Sequence, residues 1–462
     1  MATNQTKHFA PRYSVFDAFC GCGGLSYGLA MTGRFHTLLG NDIKQEAGET
    51  FQHNHELLEG VRPRTIVEPI ENLAAGDVQR ILNDAMGDPK HRLDCLIGGP
   101  PCEGFSQNRT QNGTGTRTHK LIDDPRNDLF RWFVKLAAAL QPKVVLIENV
   151  PDLVRHRDGE TREEIIAALD EAGYRTAVRV LNAADYGVPQ MRRRAFFLCQ
   201  RKEDFAQTGV ALEFPNPTHV PYPLQHPSLL EATDWLPGDS GYWVSVREAI
   251  GDLPPPTEHD NYDHSKVRYP DAKQTVYRAL MRNPQGVPFN HLARKLGKGG
   301  LTRLQAIRPG QTCAELPDNL RPKSHYHYSY TRLSWSEPAR TITKFTYHVG
   351  SGQFGHPVED RAVTMREAAR LQSFPDSFSF VGTNEIRKLS ALVGSAVPPI
   401  LARALGQKLA QYLDHISVSE LKPELRYQVK QLNGDAVLRR LQREEWGTNA
   451  QPEVEQITLL DR

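Results

Sequence analysis

Four short apolar runs constrain this chain more than any other feature: "YSVFDAF", "FHTLLGNDI", "RLDCLIGG" and "PKVVLIENV". Each ends in polar or glycine residues, and helical patterns separate them. Strands that are apolar nearly throughout are buried on both faces, so the pattern predicts an α/β fold built on a parallel sheet with helices covering it. Sheets of this kind bind ligands at the carboxyl ends of their strands. The unusual residues gather there: the glycine loop "CGCGGLSYGL" after the first run, Asp42 after the second, Pro100 and Cys102 after "DCLIGG", and Glu148 with Asn149 after "KVVLI".

At 462 residues the chain exceeds one comfortable core, which predicts two or three domains. From about residue 200 to 325 the texture changes. Stretches such as "FPNPTHVPYPLQHPSLLEATDWLPGDSGYW" are dense in proline, histidine and aromatics without a period, as in a loop-rich second domain or a long insertion. "RLSWSEPARTITKF" resumes strand-like texture, and "TMREAARLQSF" and "PPILARALGQKLAQYL" read as helices. The last places Val397, Ile400, Leu401, Ala404, Leu405 and Leu409 on one face, with Pro398 and Pro399 in the tolerated first turn. The boundaries expected are a first domain over 1–199, a second over 200–327, a return to the first over 328–415, and a peripheral extension over 416–462.

Lys and Arg total 56 against 54 Asp and Glu, and a net charge of +2 excludes neither nucleic acid nor small molecules as partners. No apolar run approaches the roughly 18–20 residues of a membrane span, and "MATNQTKHFAPRYS" lacks the apolar core of a signal peptide, so a cytoplasmic protein without a membrane partner is expected. The six cysteines are scattered, with one Cys-x-Cys and no second pair at zinc spacing, so neither a disulfide framework nor a metal site is indicated.

The glycine loop sets Gly21, Gly23 and Gly24 between a strand and a helix, where a ligand can approach the backbone and a helix N-terminus favours negative charge. No Gly-Lys-Ser/Thr follows, which excludes a P-loop. A dinucleotide or a nucleoside bearing a carboxylate, such as S-adenosylmethionine, fits equally well. Asp42 stands where an acid that binds ribose hydroxyls is usual, and also where a helix cap would be. Cys102 lies past its strand end behind two prolines, which fix where a sulfur points without lowering its pKa, and a nucleophile needs that positioning. Glu148, ending a neighbouring strand, is the partner that handles protons. In "QMRRRAFFL", strand alternation sends Arg192 and Arg194 to one face and Arg193 to the other.

"DAFCGCGGLSYGL", "GGPPCEGFSQ", "ENV", "QMRRRAFFL" and "REAARLQSFPDSFSF" with "LVGSAVPPILARAL" together resemble the ordered motif set of the C5-cytosine DNA methyltransferases, over about residues 14–200 and 328–412. The resemblance implies a Rossmann-like S-adenosylmethionine-dependent methyltransferase sheet with a smaller, loop-rich target-recognition domain over 200–327. It implies double-stranded DNA as partner and a cytosine flipped from the duplex. Cys102 would attack carbon 6, Glu148 would engage nitrogen 3, and Arg192 and Arg194 would hold base and nucleophile. Phe19, Gly21, Gly23, Asp42, Ile43, Ile70, Pro100, Leu129 and Ser395 match positions that cradle S-adenosylmethionine. The loop "NRTQNGTGTRTHKLIDDPRND" corresponds to a mobile segment that closes on DNA. Two departures stand out: Pro69 and Ile70 replace an acid-plus-Ile pair, and Ser395 replaces an asparagine. The reading that follows is a monomeric modification enzyme paired with a restriction endonuclease of the same specificity. An RNA methyltransferase on the same scaffold and a non-catalytic DNA-binding relative are the alternatives.

Overall fold

The computed structural model describes residues 12–88, 92–101, 129–221, 241–257 and, with short gaps, 268–420. Cys102 and the loop that follows it to residue 128 lie outside the described residues. The apolar runs form the strands expected of them: β1 (Tyr13–Ala18), β2 (Phe35–Asn41), β4 (Cys95–Gly98) and β5 (Val144–Asn149), joined by β3 (Arg64–Ile66), β6 (Tyr174–Asn182) and β8 (Arg193–Arg201) in one sheet ordered β3-β2-β1-β4-β5-β8-β6. The first five strands are parallel, and β8 runs antiparallel to both of its neighbours. β1 and β5 are buried at every position, as strands covered on both faces must be.

The chain's direction of winding reverses between β1 and β4, so a crevice opens at their carboxyl ends. The helices that cover the sheet are α1 (Gly24–Ala30), α2 (Gln45–Glu59), α3 (Ala75–Met86), α4 (Leu129–Leu140), α5 (Pro151–Arg155) and α6 (Glu160–Glu171), with α7 (Lys202–Thr208) after β8. One core lies between β1, β4, β5 and β8 and helices α3, α4 and α6, with Phe16, Leu96, Ile147, Phe197, Leu82, Phe133 and Ile165 all buried.

A second core joins distant parts of the sequence. It holds Tyr27 of α1, Val246 and Ile250 of α8 (Val246–Ile250), Tyr277 and Met281 of α9 (Val276–Met281), Phe374, Phe378 and Phe380, and Leu392 and Val393. The described residues of 241–281 therefore share apolar surface with the first and last thirds of the chain. α8 and α11 (Met365–Leu371) both begin at capping boxes, Ser245 with Glu248 and Thr364 with Glu367, which satisfy the exposed N–H groups of each first turn. Between them Arg370, fully buried, pairs with Asp252 at 2.9 Å and Asp376 at 2.6 Å. α10 (Lys298–Gln305) stands by a small cluster of Ile307, Cys313 and Leu316.

Two strands outside the main sheet, β7 (Gln190–Met191) and β9 (Ala339–Arg340), pair in parallel and lead the late segment back to the crevice. Helices α12 (Ile386–Ser395) and α13 (Pro399–Glu420) follow, separated by extended backbone at Ala396. The stretch Ile386–Ser417 is long and apolar enough to cross a membrane by composition, at mean hydropathy 1.4, which qualifies the expectation that no such run exists. Yet 67% of its apolar window is buried within the protein, as in a core helix. Met1–Gln411 form one compact unit; of the second, Tyr412–Arg462, the described part is the end of α13.

Candidate active site

The strand ends come level at the crevice because Ala18 pairs with both Asn41 and Gly98, and Gly98 with Ile147. The residues just beyond those ends line an open cavity of about 1590 Å3, larger than a typical single-ligand pocket of roughly 300–1,000 Å3. Of the residues expected to form the site, Phe19, Gly21, Asp42, Ile43, Ile70, Pro100, Leu129, Glu148, Arg194 and Ser395 all line it.

At one end Glu148 is the penultimate residue of β5. Its Oε1 accepts an ion pair from Arg194 Nε at 3.0 Å. Burial pushes the Glu148 carboxyl above its usual range, and the guanidinium charges of Arg194 and then Arg192 oppose that rise. The next residue, Asn149, holds the turn opposite: its Nδ2 donates to the Pro100 carbonyl at 3.1 Å, and its Oδ1 accepts the Val150 N–H at 2.8 Å. The Pro-Pro turn that leads to Cys102 is thus fixed to the strand that carries Glu148. An Asn in "ENV" was visible in the sequence, but only the fold shows what it ties down.

Arg192 departs from expectation. It does not line the crevice; it is 1% exposed, and its guanidinium donates to the Ile342 carbonyl at 2.9 Å and the Gly394 carbonyl at 3.0 Å. Strand alternation gave the wrong partner because β7 ends at Met191 and β8 begins at Arg193, so Arg192 sits at a break between two strands. Gln190, also fully buried, works beside it: its Oε1 accepts the Ile342 N–H at 2.8 Å, and its Nε2 donates to Leu371 O and Gln372 Oε1. Together they staple the segment at residue 342 to the sheet and to α12. Replacing Arg192 with alanine is expected to lower folding stability by about 3 kcal/mol or more, since two hydrogen bonds from a charged group are lost and two carbonyls are left without partners. Thermal melts of the purified variant check this; an unchanged melting temperature would contradict it.

At the other end the chain turns sharply out of β1. Phe19 has φ 60, a conformation costly for a residue with a side chain, and it is held there as Cys20 N–H bonds Asn41 O at 2.8 Å. Gly21 has φ 54, and a side chain there would point into open space, so its backbone faces the crevice. Gly23 does not. A Cβ on it would come within 2.9 Å of Phe51 and 3.2 Å of His55, and it is not part of the crevice wall. Glycine is required at Gly23 by its positive φ of 92 and by its packing on α2. Asp42 accepts Gly21 N–H at 3.0 Å on one oxygen and Lys44 N–H at 2.9 Å on the other, so it braces the loop against the start of α2 while burial raises its pKa. Ile43 stands 65% exposed beside it, an apolar surface open to the crevice. Ile70 is buried in the sheet core and forms the crevice floor, and exposed Ser395 ends α12 on the opposite wall.

The sequence reading missed Asp17. It lies in β1 immediately before the last strand residue, Ala18, is 1% exposed, lines the crevice, and has one carboxylate oxygen buried with no partner. Burial raises its pKa from the usual 3.8 to about 7, against hydrogen bonds from the Ser26 side chain and backbone. An acid among apolar residues, "VFDAF", was the available signal. The protonated form is favoured in the fold, so the stability it confers is complete below about pH 3.8 and is lost as pH rises toward about 7. Asp17→Asn is therefore expected to melt a few degrees above the wild type at pH 8 and level with it at pH 4; a lower melting point at pH 8 would contradict this.

Charge is unevenly distributed along the crevice. Asp17, Asp42, Glu46, Glu68 and Glu71 lie toward the β1–β3 side, with Lys44 and Lys388 among them, whereas Arg155, Arg193, Arg194, Arg340 and Lys344 outnumber Glu148 and Asp152 toward the β5–β9 side. The first end suits a ligand with a cationic group and hydroxyls. The second suits phosphates.

A family model described as C-5 cytosine-specific DNA methylase matches residues 13–411. The Type II methyltransferase M1.HphI of Haemophilus parahaemolyticus is 31% identical over 411 residues, spanning 87% of this chain and 89% of that protein. The DNA (cytosine-5)-methyltransferase 3 of Arabidopsis thaliana is 30% identical over 463 residues, with 87% of this chain matched to 31% of that longer protein. Among solved structures, a prophage-encoded DNA modification methyltransferase from E. coli shares the fold at TM-score 0.63 and 24% identity, over 87% of this chain and 99% of that one. The sheet order, the crevice at its switch point and the near full-length family match lead to one assignment: this chain belongs to the C-5 cytosine-specific DNA methylases.

Proposed function

We propose that the crevice methylates carbon 5 of a cytosine flipped out of a specific short duplex sequence, with Cys102 as nucleophile and Glu148 as the group that engages nitrogen 3. The observation that carries this reading is Glu148 itself: a buried carboxyl of raised pKa, paired with Arg194, on a strand whose next residue anchors the Pro100 turn two positions before Cys102. The other cysteines support it by contrast. Cys20, Cys22, Cys95, Cys199 and Cys313 are buried, with thiols pushed up by burial, which is the state of inert structural cysteines.

The Cys102 thiolate forms a bond to carbon 6, and the ring electrons move toward nitrogen 3, where the Glu148 carboxyl holds the proton. Carbon 5, now nucleophilic, takes a methyl group. Loss of the carbon 5 proton restores the double bond and breaks the sulfur–carbon bond, freeing Cys102. S-adenosylmethionine supplies the activated methyl group. Phe19, Gly21, Asp42, Ile43 and Ile70 would hold its nucleoside, and the partnerless oxygen of Asp17 fits its ammonium group. Arg194 orients Glu148. Arg192 is a positioning residue that acts through the segment at Ile342.

The cationic end of the crevice supports phosphate contacts along one strand of DNA. M1.HphI and M.HgiDII are named Type II methylases, and on that likeness we place this chain in a restriction-modification pair. Bisulfite sequencing of DNA from cells that express the protein tests the reading. Cytosines within one short sequence are expected to resist conversion; full conversion at every site, with protein present and folded, would overturn it.

A further inference from the structure

Beneath the glycine loop runs a buried chain of hydrogen-bonding groups that the methyl-transfer chemistry does not use. Asp17 accepts from Ser26 of α1. Ser26 Oγ lies 3.0 Å from His55 Nε2 and 3.2 Å from the Gly23 carbonyl. His55 Nδ1 lies 2.6 Å from Glu59 Oε1, and Glu59 Oε2 accepts the Thr37 N–H at 3.0 Å. Ser26 and His55 are wholly buried, and the Glu59 side chain is 4% exposed.

The serine has a single hydroxyl proton and three acceptors in reach, which makes the chain directional. With Nδ1–H committed to Glu59, a neutral His55 offers a lone pair at Nε2 and draws the Ser26 proton away from Asp17. A protonated His55 donates from Nε2 to Ser26 Oγ, and the Ser26 proton then turns to Asp17 or Gly23. The charge state of the imidazole therefore decides whether the Asp17 carboxylate has the Ser26 hydroxyl as a donor beside the Ser26 backbone N–H. The remaining ionisable groups around Asp17 are Asp42, Cys20 and Cys22, and His55 otherwise faces the rings of Tyr27 and Phe51. Glu59 is the counter-ion for an imidazolium inside this cluster.

We propose that Asp17, Ser26 and His55 form an internal proton relay, in which a cation docking on the partnerless oxygen of Asp17 moves a proton from Asp17 through Ser26 to His55. Asp17 passes its proton to Ser26 Oγ while the Ser26 proton passes to His55 Nε2. The products are an Asp17 carboxylate that accepts from Ser26, and an imidazolium paired with Glu59. Protons balance without exchange with solvent. The relay rests on the reading that the cofactor's ammonium group sits at Asp17, and it makes Ser26 and His55 positioning residues for binding, not for methyl transfer.

Calorimetric titration of the full chain with S-adenosylhomocysteine, in buffers of different ionisation enthalpy at pH 6.5, counts the protons exchanged. The wild type is expected to exchange close to none. Ser26→Ala and His55→Gln are expected to release a count approaching one, and to bind about tenfold more weakly through loss of a hydrogen bond to a charged group. Histidine 15N spectra of the wild type need no variant: the His55 Nε2 resonance is expected to shift from the lone-pair to the protonated range on ligand binding. Equal proton counts in all three proteins, or an unmoved Nε2 resonance, would overturn the relay while leaving the site reading intact. Unchanged affinity in both Asp17→Asn and Phe19→Ala would instead overturn the site reading on which it rests.

Discussion

Cys102→Ser is expected to bind its DNA site with affinity close to the wild type and to lose methyl transfer by on the order of 10^4-fold or more, because a serine hydroxyl is far less acidic and less nucleophilic than a thiol and does not add to carbon 6. The expectation follows from how the surrounding residues are built. Asn149 fixes the Pro100 carbonyl, and the reaction proposed above begins with a thiolate two residues further on. Every other cysteine is buried with a raised pKa, so none can substitute. Single-turnover methylation and a gel-shift titration on the same DNA separate the two effects. Retained turnover would mean that no covalent step passes through Cys102.

Glu148→Gln should cost about 10^2- to 10^4-fold in turnover, the range for removing a positioned proton-transfer group, with S-adenosylhomocysteine affinity unchanged. The pH profile carries a sharper test. Burial holds the Glu148 proton to higher pH than an ordinary glutamate, and the Arg194 charge pulls the other way. Turnover is expected to fall on the alkaline side as that proton is lost. Removing the Arg194 charge, as in Arg194→Ala, is expected to move this limb to higher pH even as the maximum rate drops. A shift to lower pH, or none, would show that Glu148 is not the group that titrates.

Much of this arrangement could be read from the sequence because it depends on strand periodicity and on residues at strand ends. β1, β2, β4 and β5 are mostly apolar and finish at the loop after Ala18, at Asn41, at Gly98 and at Asn149, so their ends converge wherever a parallel sheet forms. What could not be read depends on contacts across long separations. Arg192 bonds carbonyls 150 and 202 residues away, and nothing in "QMRRRAF" says that the strand breaks at its own position. Gly23 stands with Gly21 in one glycine loop, and nothing in that loop announces the packing of Phe51 and His55 against it, which comes from α2. An acid within an apolar strand reads as an interruption; that Asp17 lines the crevice and carries a buried oxygen without a partner is visible only in the fold. The stretch 200–327 read as loop-rich, yet Val246, Ile250, Tyr277 and Met281 pack in one core with Phe374 and Val393, a pairing that no local pattern encodes.

The most direct test of the central claim, covalent attack by Cys102 on the target cytosine, uses duplex DNA carrying 5-fluorocytosine at the site that bisulfite sequencing identifies. Fluorine cannot leave carbon 5 as a proton does, so the sulfur–carbon bond persists after methyl transfer. Incubation with S-adenosylmethionine is expected to yield a denaturation-resistant protein–DNA adduct whose peptide map places the modified base on Cys102, and Cys102→Ser should yield none. A methylated product without any adduct, or an adduct mapped to another residue, would contradict the account.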